Sequence, residues 1–115
     1  MLGKLNDLRA KYGVRRTVHM AQSRAEVAQV QKYAGCTPAE YLDRHGWLGD
    51  DVVGAHWTFC TDSDIALLAK RGVHMAHCPA NSSRKGPHTA PVAKILDAGV
   101  NVALGTDNMT EDMFQ

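Results

Sequence analysis

The chain has 115 residues, of which 44% are hydrophobic and 22% are charged, the balance of a folded globular domain. Its formal net charge of +1 gives no electrostatic reason to expect nucleic acid or an anionic membrane as a partner. No apolar run approaches the roughly 20 residues of a membrane helix, and the three cysteines form no CxxC pair. We therefore expect a cytoplasmic protein with reduced thiols and no membrane association.

Four short β-branched or apolar runs predict strands. They lie at residues 14–19, 52–56, 73–77 and 100–104. The first, third and fourth runs follow a helical stretch that ends in Gly-Val, where glycine suits the left-handed position that closes a helix. The run at 52–56 follows a turn signal, Gly49-Asp50-Asp51, instead of a helix end.

The remaining segments carry helical signals. Leucines at helical spacing predict a helix over the first residues, and residues 25–33 follow as a second. Thr37-Pro38-Ala39-Glu40 is a capping box with proline at the first helical position. Further helices begin at Thr61 and Pro91, and residues 81–90 are expected to form an irregular loop.

Strands that alternate with helices predict a parallel α/β sheet joined by right-handed crossovers. Two architectures satisfy this pattern: an open doubly wound sheet and part of a (β/α)8 barrel. A whole barrel needs about 250 residues, so four units are expected to form about half of one, as a single partial domain over residues 1–115. A flavodoxin-like nucleotide binder is disfavoured because no strand is followed by a GxGxxG or Walker loop.

Chemically capable side chains follow each predicted strand. The strands end in His19, His56, His77 and Gly105-Thr106-Asp107. One such residue alone is more often structural, but the carboxyl ends of parallel strands share one edge of the sheet, so the three imidazoles and the carboxylate are expected to converge. These residue types are the ligands of hydrolytic Zn²⁺ or Fe²⁺.

Other candidates occupy positions that favour structural roles. His45, His74 and His88 do not follow a strand and are expected to be structural or exposed. Met20, Met75, Trp47 and Trp57 are expected to pack in the core.

At these strand ends the sequence resembles the amidohydrolase superfamily, in its branch of cytosine/guanine deaminases, adenosylhomocysteine deaminases and triazine hydrolases. The matching segments are Val18-His19-Met20-Ala21-Gln22, Gly54-Ala55-His56-Trp57, Val73-His74-Met75-Ala76-His77-Cys78-Pro79 with Asn81-Ser82, and Leu104-Gly105-Thr106-Asp107. The resemblance implies strands five to eight of a TIM-type (β/α)8 metallo-hydrolase barrel that acts on a small heterocyclic substrate.

The resemblance also implies residue roles. His19 and Asp107 would be ligands of Zn²⁺ or, equally well for this ligand set, Fe²⁺. Asp107 would also be the base toward the attacking water, and His56 would hydrogen-bond that water or the developing oxyanion. Asn81, Ser82 and Asn108 would contact the substrate. Such sites hydrolyse C–N bonds, or C–halogen bonds in the related chlorohydrolases, through a metal-activated water.

Two departures from the family pattern modify this expectation. Gln22 stands where deaminases of this branch carry a proton-shuttling glutamate, and an amide can hydrogen-bond but cannot shuttle the proton. The His-x-His pair of the first strand is absent. We therefore expect a fragment with negligible turnover alone, which needs the missing N-terminal half or self-association. The alternative is a catalytically incomplete half-barrel that acts only as a binding or scaffold protein.

Overall fold

The computed structural model describes residues 2–84 and 86–107. The helices in these ranges are α1 (Leu2–Tyr12), α2 (Arg24–Ala34), α3 (Pro38–Arg44), α4 (Asp62–Lys70), α5 (Pro79–Arg84) and α6 (Val92–Asp97). The strands are β1 (Arg16–Met20), β2 (Val52–His56), β3 (His74–His77) and β4 (Val102–Leu104). None of these helices is long and apolar enough to cross a bilayer.

The sheet formed by the described residues has the order β1-β2-β3-β4, and every neighbouring pair is parallel. This order decides between the two architectures that fit the sequence. A doubly wound sheet reverses its strand order at a switch point, whereas a barrel adds each new strand beside the previous one. Because right-handed crossovers between consecutive neighbours pass over the same face, the helices that connect the strands lie on one side of the sheet.

The core lies between the sheet and these helices. The register aligns Val18, Gly54, Met75 and Val102 across the sheet. This row belongs to the helix-covered face, where Met75 joins Leu68 and Ile95 in one buried cluster. The alternate row contains His19, Ala55, Ala76 and Ala103, and its two outer members, His19 and Ala103, are exposed. In a closed barrel this second face points inward.

Most of the predicted elements are confirmed, and one is wrong. The capping box at Thr37 is present, because the Thr37 hydroxyl accepts from the Glu40 backbone amide and the Thr37 backbone amide donates to the Glu40 carboxylate. The two tryptophans and Met20 and Met75 are buried as predicted. The expected irregular loop over 81–90 is partly helical, since α5 covers Pro79–Arg84. Proline is well tolerated at the first position of a helix, so Pro79 can begin α5. The asparagine and serines that follow have low helix propensity, and the sequence therefore gives little sign of this helix.

A charged network secures α1 at the amino-terminal end of the sheet. Asp51 accepts hydrogen bonds from Arg16 at 2.9 and 3.0 Å and from Arg9 at 2.8 Å. Arg16 is only 8% exposed and its guanidinium lies 4.8 Å from the Trp47 ring. Burial alone raises the pKa of Asp51, but the hydrogen bonds and charges of Arg16 and Arg9 outweigh it and lower the pKa below its ordinary value.

Candidate metal centre and adjoining cavity

Three side chains meet at the carboxyl-terminal edge of the sheet. One ligand atom each of His19, His56 and Asp107 lies within 4.8 Å of the others. The two imidazole rings are 4.9 Å apart, edge to face. His56 is buried, whereas His19 and Asp107 are exposed. The structure thus brings together three residues that the sequence places on three different strands or strand ends.

His56 owes its orientation to a tight turn at the end of β2. Its register partner is Met20, whose side chain is buried in the helix-side core, so a regular strand would direct His56 away from His19. Instead, His56 has φ 78°, and the Trp57 amide donates to the Ala55 carbonyl across it at 3.2 Å, as in a γ-turn. The turn ends the alternation of the strand and allows the imidazole to reach His19.

Strained backbone is concentrated around this centre. The non-glycine residues with positive φ in the described ranges are Ala21, His56, Trp57 and Asp107. Each ends a strand or follows one within three residues, and His56 and Asp107 are themselves site residues. Such conformations cost about 1–3 kcal/mol each and persist only where the surroundings enforce them. The main-chain bonds from the Trp57 amide to Met20 O and from the Phe59 amide to Ala21 O hold the ends of β1 and β2 in this way.

The predicted convergence of His77 with the other strand-end groups is wrong. His77 is not a member of the His19–His56–Asp107 group. The register places it two residues beyond Met75 on the helix-covered row, whereas His19 lies on the other row. Its Nδ1 atom is buried without a hydrogen-bond partner among the described residues, and burial lowers the pKa of His77. His77 is therefore a neutral packing residue at neutral pH.

Cys78 adjoins the centre but is not one of the residues whose ligand atoms meet there. Burial, and then the negative charge of Asp107, raise the pKa of the Cys78 thiol. Among the described residues, the ligand atoms that meet at the centre are therefore those of imidazole and carboxylate groups.

Gln22 lies in the turn after β1 and lines a cavity. The backbone amide of Gln22 donates to Glu26 Oε2 at 2.9 Å, and the backbone amide of Ala21 donates to Glu26 Oε1 at 2.8 Å. Both carboxylate oxygens of Glu26 thus hold the turn after β1. The side chain of Gln22 donates from Nε2 to Asn81 Oδ1 at 3.4 Å. Both oxygens of Glu26 bond to the main chain, so Glu26 does not take the place of the glutamate expected at the Gln22 position.

The cavity has a volume of about 310 Å³, at the lower end of the range for small-molecule sites. Its lining residues are Gln22, Ser23, Arg24, Thr58, Phe59, Asn81, Ser82 and His88. Asn81 and Ser82, which the sequence nominates for substrate contact, are 5% and 6% exposed on α5. Asn108, the third predicted substrate contact, lies outside the described residues.

Sequence reasoning missed the outer wall of this cavity. Arg24 and Phe59 follow the strand-end motifs by a few residues, and His88 comes from the segment after α5. The Arg24 guanidinium lies 5.2 Å from the centroid of the Phe59 ring, and the His88 ring lies 5.5 Å from the same centroid. His45 and His74 are structural as predicted, since both rings hydrogen-bond to main-chain carbonyls. The position of His88 in a cavity wall was not predicted.

Comparison with known sequences finds one family over the whole chain. The sequence profile of the amidohydrolase family matches residues 1–115. A 5'-deoxyadenosine deaminase of Methanopyrus kandleri is 39% identical over 93% of this chain and 25% of its own length. A 5-methylthioadenosine/S-adenosylhomocysteine deaminase of Thermococcus sibiricus is 45% identical over 79% of this chain and 22% of its own length. The chain thus spans about a quarter of the length of the curated relatives it matches.

Solved structures agree in fold. A zinc-bound adenosine deaminase of Xanthomonas campestris superimposes with a TM-score of 0.90 at 29% identity, over 96% of this chain and 25% of that one. An atrazine chlorohydrolase of Arthrobacter aurescens complexed with zinc gives a TM-score of 0.85 at 32% identity, over 91% and 23%. The parallel sheet with its consecutive strand order is therefore part of the architecture of these hydrolases.

Proposed function

We propose that this chain, which belongs to the amidohydrolase family, supplies part of the active site of a metal-dependent hydrolase. The proposed reaction is hydrolysis of a C–N bond in a small heterocyclic molecule. The observation that carries the proposal is the meeting of His19, His56 and Asp107 within 4.8 Å. The names of the relatives, which are deaminases of adenosine-like compounds and a chlorohydrolase of a triazine, support the substrate class.

The residues present fit a divalent metal. Imidazole nitrogen and carboxylate oxygen bind Zn²⁺ at about 2.0–2.2 Å, so ligand atoms less than 5 Å apart could share one ion after small side-chain rotations. His19 and Asp107 are the proposed ligands. Zn²⁺ is the proposed ion because two structural neighbours hold zinc, and Fe²⁺ suits the same donors. When bound, such an ion acidifies water and polarises the bond under attack.

The side chains of this chain would handle the protons and charge. Asp107, next to the attacking water, would accept a proton from it. His56 would donate a hydrogen bond to the oxygen that becomes negative as the tetrahedral centre forms. Its burial favours this role, because a hydrogen bond is electrostatically stronger where water is excluded.

Gln22 sets a limit on the chemistry. Its amide can orient the substrate or the leaving group, but it cannot deliver a proton. We therefore propose a leaving group that needs little protonation from this position, or one protonated by another group of the assembled site. Asn81, Ser82 and Asn108 are proposed substrate contacts, the first two because they line the cavity that begins at Gln22.

The proposed site needs further ligands. A catalytic zinc usually has three protein ligands, and His19 and Asp107 supply two. We propose that groups outside these 115 residues complete the coordination, from a further segment of the protein or from a second copy. The small side chains of the inward row, Ala55, Ala76 and Ala103, leave space for such a complement.

The cytoplasmic location of the protein stays a prediction.

Cobalt titration tests the metal assignment. Co²⁺ replaces Zn²⁺ in many sites and gives visible absorption bands that report its ligands, so the purified chain is titrated with Co²⁺ and then back-titrated with Zn²⁺. We expect H19N and D107N each to weaken Co²⁺ binding about tenfold or more, because each removes a ligand. H56N should leave the affinity within about threefold, since His56 is not a proposed ligand.

The control is H45N, which removes an exposed histidine whose ring bonds to the Tyr41 carbonyl on α3, outside the site. It should bind Co²⁺ as the unaltered chain does. Equal affinity in the unaltered chain, H19N and D107N would overturn the metal assignment. A loss in H56N as large as in H19N would instead make His56 a ligand and remove its proposed role toward the oxyanion.

A further inference from the structure

The outer wall of the cavity is basic and contains no acid. Among its eight lining residues, Arg24 carries a permanent positive charge and His88 carries an imidazole, and no aspartate or glutamate is present. Both basic side chains flank the ring of Phe59, at 5.2 Å and 5.5 Å from its centroid. A ring stacked in this way holds a guanidinium plane in place and leaves its N–H groups able to donate.

The side chain of Arg24 has no anionic partner among residues 2–84 and 86–107. Within these ranges it makes no ion pair or side-chain hydrogen bond, and it contacts the ring of Phe59. Three other arginines are ion-paired: Arg9 and Arg16 with Asp51, and Arg71 with Asp43. Arg24 is also the first residue of α2, whose N-cap is Ser23. The amino end of a helix adds partial positive charge at the same place, where the carboxylate of Glu26 in the first turn bonds to the backbone amides of Ala21 and Gln22.

The opposite wall offers hydrogen-bonding groups that nothing in the described chain uses. Ser82 is 6% exposed, lines the cavity, and its hydroxyl makes no hydrogen bond to a described residue. Asn81 receives a bond at Oδ1 from Gln22, which leaves its Nδ2 hydrogens to donate. Both groups are therefore able to hydrogen-bond to a ligand in the cavity.

We propose that this cavity binds a carboxylate group of the substrate, with Arg24 as the counter-charge. The inference rests on the proposed function only in calling the ligand a substrate. The reacting ring would lie at the His19–His56–Asp107 centre, and Gln22, which follows His19 by three residues and lines the cavity, would lie between ring and carboxylate. Arg24 then selects substrates with an acidic substituent over neutral ones of the same shape, through the paired N–H groups that fit a carboxylate.

The test uses a matched pair of probes, nicotinate and nicotinamide, which share a heteroaromatic ring and differ in charge. Each is titrated at low ionic strength into the ¹⁵N-labelled full chain without added metal, and binding is followed by amide and Arg Nε–Hε shifts. We expect nicotinate to bind about five- to tenfold more tightly than nicotinamide. The shifts should centre on Arg24, Thr58 and the Asn81 side-chain amide.

Three variants locate the source of the preference. R24Q should abolish it, R24K should keep part of it because charge remains without the planar fork, and R15Q should keep all of it. Arg15 is an exposed arginine just before β1, at the other end of the sheet. Unchanged circular dichroism shows that each variant is folded.

Two outcomes overturn the proposal: equal affinity for both probes in the unaltered chain, or an unchanged preference in R24Q. Because no metal is added, this result is independent of the cobalt titration. Cobalt binding without a carboxylate preference removes the subsite alone. A carboxylate preference without cobalt binding removes the metal assignment and leaves an anion-binding cavity.

Discussion

Replacement of Gly54 by alanine should destabilise the protein because of one crowded contact beneath the candidate centre. Gly54 is a buried residue of β2, two positions before His56. A Cβ atom at this position would lie 2.4 Å from Trp57 Nε1, 3.1 Å from Trp57 Cε2 and 3.2 Å from Met20 Cε. Trp57 is 0% and Met20 1% exposed. Neither side chain has open space to move into.

The size of the effect follows from these distances. Carbon and nitrogen atoms pack at about 3.5 Å or more, so the indole must move by about 1 Å inside a close-packed core. Overpacking of this kind costs about 1–3 kcal/mol, and the rigid indole places G54A near the upper end. Alanine restricts the unfolded chain more than glycine does, which returns about 0.5–1 kcal/mol. We expect a net loss of about 2 kcal/mol.

The assay is urea unfolding followed by circular dichroism, with the same change at Gly3 as the control. A Cβ at Gly3, inside α1, meets nothing within 4 Å. G3A should therefore stabilise the chain by about 0.5–1 kcal/mol through helix propensity. If G54A unfolds at the same urea concentration as the unaltered chain or a higher one, the packing of Trp57 against β2 is not as described.

Two further stability predictions follow from hydrogen bonds of the described residues. D51N should cost about 2–3 kcal/mol at pH 7, because it leaves the buried guanidinium of Arg16 without its counter-charge. The folded-state pKa of Asp51 lies below the ordinary 3.8, so this contribution to the free energy of unfolding is present above the ordinary value and is lost as the pH falls through the folded value. The urea unfolding curves of D51N and the unaltered chain should therefore converge in acid. A stability difference that stays constant down to about pH 2 would contradict this linkage. T61A should cost about 1–2 kcal/mol, because Thr61 caps α4 by accepting from the Asp64 amide at 3.1 Å and also donates to the Asp64 carboxylate at 2.9 Å. The same change at the exposed Thr89 should shift the urea midpoint very little, and equal effects at the two sites would exclude a capping role.

Local sequence determined the helices and strands and the edge of the sheet at which the candidate site lies. The capping signals at Thr37 and Thr61 fixed two helix starts, because the bonds involved span only three residues. The end of β2 at His56 was predicted to the residue. His19, His56 and Asp107 could be nominated because parallel strands share one carboxyl-terminal edge, so position in a strand implies proximity in space. The roles assigned to these residues stay predictions.

Tertiary structure decided what depends on contacts between distant segments. Strand order, which chose a barrel-type sheet over a doubly wound one, depends on which strands pair, and local patterns do not encode that choice. The rejection of His77 and the inclusion of His56 depended on side-chain direction, since a γ-turn with positive φ reorients His56 while His77 keeps the regular alternation. The cavity wall of Arg24, Phe59 and His88 joins three segments that are each unremarkable in sequence. Only the packing of the chain around one core places these three segments side by side.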